Sequence, residues 1–106
     1  MACYSVYHAH DPLQMVQHDE AQWFQGRESH YQHVADVEAS IEEKPLAQVA
    51  QVFAWTNHIE CDWTTNAAVL WHDTTMPLRS TSVGDVITCK ATGQAWMVMP
   101  SGFRVL

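Results

Sequence analysis

The sequence predicts an α+β fold: a small antiparallel sheet with one main amphipathic helix packed on one face and a C-terminal β-hairpin. Three stretches carry this reading. "ACYSVYHA" alternates Tyr4, Val6 and His8 against Cys3, Ser5 and Tyr7, as an extended chain does. "PLAQVAQVFAWTN" spaces Leu46, Val49, Val52 and Phe53 by three and four, the period of a helix with one apolar stripe. Near the end, the run Val83–Cys89 and the run "QAWMVMP" flank a Thr92-Gly93 turn, which is the pattern of a hairpin. The length of 106 residues suits a single domain over residues 1–106.

In chain order, the first strand leads to Asp11-Pro12, a carboxylate and a proline placed to start a helix, followed by a stretch without clean period that ends at Gly26. "HYQHVADVEA" is the second strand; it sets Tyr31, His33, Ala35 and Val37 on one side, with the alternation broken at Val34. The helix then runs Pro45–Asn57, with proline near its start and acidic residues just ahead. A polar tract, "NHIECDWTTN", ends it and leads into "AAVLWH", a short apolar strand. "HDTTMPL" connects to the hairpin, which spans Arg79–Pro100, and Gly102-Phe103 begin a last extended segment.

The helix, the phrase "RSTSVGDVI" and the closing "AWMVMPSGFRVL" come in an order and spacing that resemble the YodL-like domain, a small family of bacteria and their mobile elements. The resemblance covers Leu46–Leu106 and rests on Arg79, Ser80, Ser82, Val83, Asp85 and Val86, then Gly102 and Phe103. It implies a helix, a turn, the Arg-Ser phrase, a strand and a terminal Gly-Phe, and it points to a phage or mobile-element setting. It implies no chemistry. The insert "HIECDWTTNAAVLWHDTTMPL" departs from the family pattern. From the residues themselves the phrase is a structural motif: Ser80, Thr81 and Ser82 bond local backbone, Gly84 permits a close approach, and Asp85 pairs with Arg79 to fix the loop.

Composition narrows the function. Twelve acidic residues stand against five basic ones, net −7, and the basic residues are scattered rather than gathered into a stripe. Direct binding of nucleic acid is therefore disfavoured, since each neutralised phosphate needs a Lys or Arg nearby. An acidic surface suits a basic protein partner instead. Three cysteines leave at least one thiol unpaired, which reads as a reduced, cytoplasmic protein. The longest apolar run is too short for a membrane span.

Candidate sites follow from residue type. Seven histidines invite a metal reading centred on His58, Cys61 and His72, yet each close pair supplies half a site and no second pair stands at a known spacing. Cys61 beside His58 is the best candidate nucleophile, but no Gly-rich elbow or helix start supports its thiolate. No cofactor is expected. Among five tryptophans, Trp71 and Trp96 are expected in the core, while Trp23 and Trp63 are the expected interface anchors, joined by Glu60, Asp62 and Asp73 in an acidic docking surface.

The expected function is thus a non-enzymatic binding protein of phage or mobile-element type. Its sharpest form is an anti-CRISPR-like inhibitor that occludes a nucleic-acid-processing or defence complex, the partner being a bacterial protein or ribonucleoprotein. A homodimer is compatible with this. The competing expectation is a His-rich metal-binding domain or metal-dependent enzyme.

Overall fold

The computed structural model describes residues 2–10, 30–39, 44–57, 62–75 and 78–106. Alternation in the first strand is realised as β1, Ala2–Ala9, and the second as β2, Tyr31–Ala39. The helix α1 spans Pro45–Thr56. Lys44 precedes it without a side-chain cap and Pro45 occupies the first turn, where a missing N–H breaks no helical bond. A 3-10 turn at Trp63–Thr65 is capped by Asp62, whose carboxylate accepts from the Thr64 amide. The remaining strands are β3 (Val69–His72), β4 (Val86–Cys89), β5 (Ala95–Val98) and β6 (Phe103–Val105).

The six strands among the described residues join one antiparallel sheet in the order β3-β2-β1-β4-β5-β6. A mixed α+β fold is what the sequence predicts, but the molecule is more strand-rich than a small sheet plus hairpin. The short segment after Gly102 pairs with β5 and extends the sheet by a sixth strand. The hairpin strand also starts later than its alternation suggests, because Val83 and Gly84 form a turn and pairing begins at Val86.

Two irregularities decide which side chains share a face. Val6 pairs with Ala35 but Tyr7 with His33, so Val34 is an extra residue in β2. The bulge shifts the phase of the strand by one. Ala35, Val37 and Ala39 therefore face the helix, while His33 lies on the far side with Asp36. This corrects the expected grouping of His33 with Ala35 and Val37. A second shift, between Asp36↔Trp71 and Val37↔Val69, makes Leu70 the extra residue of the edge strand β3.

The larger core lies between sheet and helix. Tyr4 and Val6 of β1, Val37 of β2, Val49 and Val52 of α1 and Ile87 of β4 are all fully buried there, with Trp63 and Trp96 at its margins. Phe103 meets Phe53 edge to face, ring centroids 5.8 Å apart at 80°, which seats the last strand under the helix. A smaller cluster of Ala9, Tyr31, Val86, Ala95 and Met97 occupies the opposite face. Among the described residues no helix is long and apolar enough to cross a membrane.

Candidate functional site

The chain leaves β3 at one edge of the sheet and must return to lay β4 against β1. The described residues of the connection, 73–75 and 78–85, lie at the end of the sheet, and the "RSTSVGD" phrase is among them. Its polar side chains are consumed in tying the connection down. Asp85 is fully buried, and its carboxylate accepts from the Ala9 amide at 2.8 Å, the Ser82 amide at 2.7 Å, and both terminal nitrogens of Arg79 at 2.6 and 2.7 Å. Arg79 also donates to the carbonyls of Ala9 and Ser80, each at 3.0 Å. A forked guanidinium against a carboxylate is the strongest form such a pair takes. Ala9, the last residue of β1, is thereby held by both its N–H and its carbonyl.

Neighbouring groups extend the clasp. The Trp63 indole donates to the Arg79 carbonyl at 2.9 Å, the Thr81 amide to the Thr56 carbonyl at 2.8 Å, and the Tyr31 hydroxyl to the Gly84 carbonyl at 3.2 Å. Gly84 has φ +97°, a conformation that disfavours any side chain. His8 shares a 3.0 Å hydrogen bond with Thr81, packs edge-on to Trp63, and sits 4.0 Å from Asp85. Burial drives its pKa down to about 4; Asp85 opposes that shift and Arg79 adds to it. The expected pairing of Arg79 with Asp85 is present, together with the Ser82 and Gly84 contacts, and Asp85 has no face open to a ligand.

A second cluster lies on the far face, away from the helix. His33 lies between Tyr7, on which it stacks with centroids 5.0 Å apart, and Trp71, tilted against it at 4.9 Å. Its Nε2 lies 2.8 Å from Asp36, whose carboxylate also accepts from the Ser5 hydroxyl and the Lys90 ammonium, both at 2.9 Å. Burial pushes the Asp36 carboxyl up, but the bonds from Lys90, His33 and Ser5 outweigh it and hold the pKa below the usual value. Ser5 bonds to the carboxylate and not to the imidazole, so the three do not form a nucleophile-base relay. The sequence signal for this cluster was the broken alternation at Val34, which is the bulge that brings His33 round to Asp36.

Among the described residues, the edge strand β3 carries two exposed large apolar side chains. Leu70 is 58 % exposed and Trp71 45 % exposed, the first at the bulge and the second on the far face. Asp62 and Asp73 flank the strand; hydrogen bonds from Thr64 and Thr75 respectively hold their carboxyls below the usual range, with a smaller contribution from His72 at the strand's end. Each carboxylate also organises a local turn, Asp62 by accepting from Thr64 and Asp73 by accepting from Thr75.

The expected anchors are therefore redistributed. Trp63 is 3 % exposed with its indole N–H satisfied, which places it in the core and removes it as a surface anchor. Trp71, expected in the core, is the exposed tryptophan among the described residues. Asp62 is exposed and Asp73 half-buried, both beside β3. Gly102, at φ +85°, makes the turn that aims Phe103 at Phe53. Trp23, Glu60, His58 and Cys61 lie outside the described residues. Of the metal set, only His72 is described, and among the described residues no three His, Cys, Asp or Glu side chains converge as a metal site would require.

The fold and site together define a helix-on-sheet α+β protein whose most polar motif is a structural clasp. No protein-family model matches the chain, and no curated protein or solved structure is detectably similar to it.

Proposed function

We propose that the protein is a non-enzymatic binding module that docks on a basic surface of another protein through the β3 edge. One observation carries the reading: Leu70 and Trp71 stand exposed side by side on an edge strand flanked by Asp62 and Asp73. Tryptophan is the side chain most enriched among residues that dominate binding, and a rim of carboxylates selects a basic partner. The consumption of Arg79, Asp85 and Ser82 in the clasp supports a structural role for the "RSTSVGDVI" phrase. In its sharpest form the reading is an anti-CRISPR-like inhibitor from a phage or mobile element that occludes the nucleic-acid groove of a host defence complex in the cytoplasm. The YodL-like resemblance and the net charge of −7 support that setting.

Affinity capture of the full chain from bacterial lysates tests this. The wild-type chain is expected to retain a nucleic-acid-handling complex in stoichiometric amount. Trp71→Ala with Leu70→Ser is expected to lose it, as is Glu60→Lys with Asp62→Lys. Undiminished capture by both double variants overturns the proposal.

A further inference from the structure

The outward face of α1 is built differently from the rest of the surface. Between Pro45 and Thr56 the helix has no charged residue, and its exposed positions are Pro45, Leu46, Ala50 and Ala54. A helix on the surface of a soluble protein ordinarily turns charged or polar residues outward. Here Gln48 is directed inward to accept from the Tyr4 hydroxyl, and Leu46 is left 54 % exposed. Beside the helix runs a cavity of about 640 Å³, lined by Leu46, Ala47, Ala50, Ser101, Gly102 and Phe103, with Lys44 at its end. Its wall is open at Gly102, where an added Cβ would meet no atom within 4 Å.

We propose that this face is a self-association surface, its occupant a second copy of the chain in a two-fold, antiparallel helix pairing. Charge argues for that occupant. Two copies of a chain with net charge −7 repel each other, and the repulsion is least where the surfaces that meet carry no carboxylate, as on the helix Pro45–Thr56 among the described residues. A partner chosen for its basic charge finds nothing to select on this helix. Shape argues the same way, because a two-fold interface must be complementary to itself. An antiparallel pairing centred near Gln48 sets Leu46 of one copy over Ala50 of the other, and Ala50 of the first under Leu46 of the second. Each leucine then enters the cavity walled by the opposite Ala47, Ala50 and Phe103. The small residues permit close approach of the two helices, at the lower end of the roughly 8–10 Å usual between helix axes. A helix of 12 residues is about 18 Å long, so the contact is smaller than the roughly 800 Å² per partner of a stable interface. The dimer is accordingly weak and forms only at high concentration.

Sedimentation equilibrium of the untagged full chain, up to about 1 mM and at low and high salt, reads this directly. The weight-average mass is expected to rise from 12.0 kDa toward twice that value with concentration. Association should tighten as salt screens the repulsion between acidic copies, the opposite of the response expected for docking on a basic partner. Ala50→Glu, a good helix former at an exposed site, should weaken association at least tenfold while circular dichroism stays native. Trp71→Ala should leave it unchanged. A mass fixed at that of the monomer throughout, or a dimer that survives Ala50→Glu, overturns the proposal; a dimer lost with Trp71→Ala assigns self-association to the β3 edge instead.

Discussion

At the scale of single residues, Asp85 and His8 carry the sharpest consequences. Asp85 is buried with its carboxylate filled by two amides and a guanidinium, so Asp85→Asn leaves Arg79 without its counter-charge. Because Asp85 is wholly buried while Arg79 is 41 % exposed and partly screened by solvent, the cost should be about 2–3 kcal/mol, to be read from urea denaturation. Arg79→Lys keeps the charge but loses the fork and should cost about 2 kcal/mol. His8 sets a pH dependence. In the unfolded chain it takes a proton near pH 6.5, in the fold only near 4. Between those values the unfolded state binds more protons, so the contribution of His8 is fully present above pH 6.5 and is lost as pH falls toward 4. The loss amounts to about 3 kcal/mol. His8→Gln, which keeps a partner for Thr81, should flatten that part of the stability profile; an unchanged slope would assign it to other groups.

At the scale of elements, the strands and the helix were legible because their periods are strong. The helix announced itself through Val49 and Val52, both fully buried, and its predicted end at Asn57 is the observed C-cap. The bulges were less legible. Val34 appeared only as a break in alternation, and nothing local says whether such a break ends a strand or shifts its phase. The partner strand decides, and sequence order does not name the partner. Deleting Val34 tests the phase argument: the pairing of Tyr31 and His33 would move by one residue, turning both toward the helix. The variant is expected to lose cooperative unfolding and soluble yield. Hairpin geometry gives a milder test. Gly93 has φ +77° and open space where a Cβ would stand, so Gly93→Ala should cost about 1 kcal/mol from backbone strain alone.

At the scale of the whole molecule, the charge is unevenly distributed. The described residues hold five of the twelve acidic residues, Asp36, Glu38, Asp62, Asp73 and Asp85, and four of the five basic ones, Lys44, Lys90, Arg79 and Arg104. The rest of the acidity belongs to the sequence at 11–29, 40–43 and 58–61. Binding to a basic partner should therefore weaken with rising salt, as the attraction between opposite charges is screened. A salt-independent affinity would argue for contacts through Leu70 and Trp71 alone. The candidate site was only half legible for a related reason. Exposure of a tryptophan is not set by its neighbours in sequence: Trp63 stands in a polar tract and is buried, Trp71 ends an apolar run and is exposed, and only the strand order separates core from edge.

That order has a further consequence. β1 lies at the middle of the sheet, between β2 and β4, and its last residue is gripped by Arg79 and Asp85 from the far half of the chain. The stretch Leu46–Leu106 taken alone leaves one flank of β4 bare and the grip empty. Made as separate peptides, residues 1–43 and 44–106 should each be unstructured and should recover native amide dispersion when mixed, as two halves of a split protein do. A folded 44–106 peptide on its own would show that β1 is an accessory to this fold.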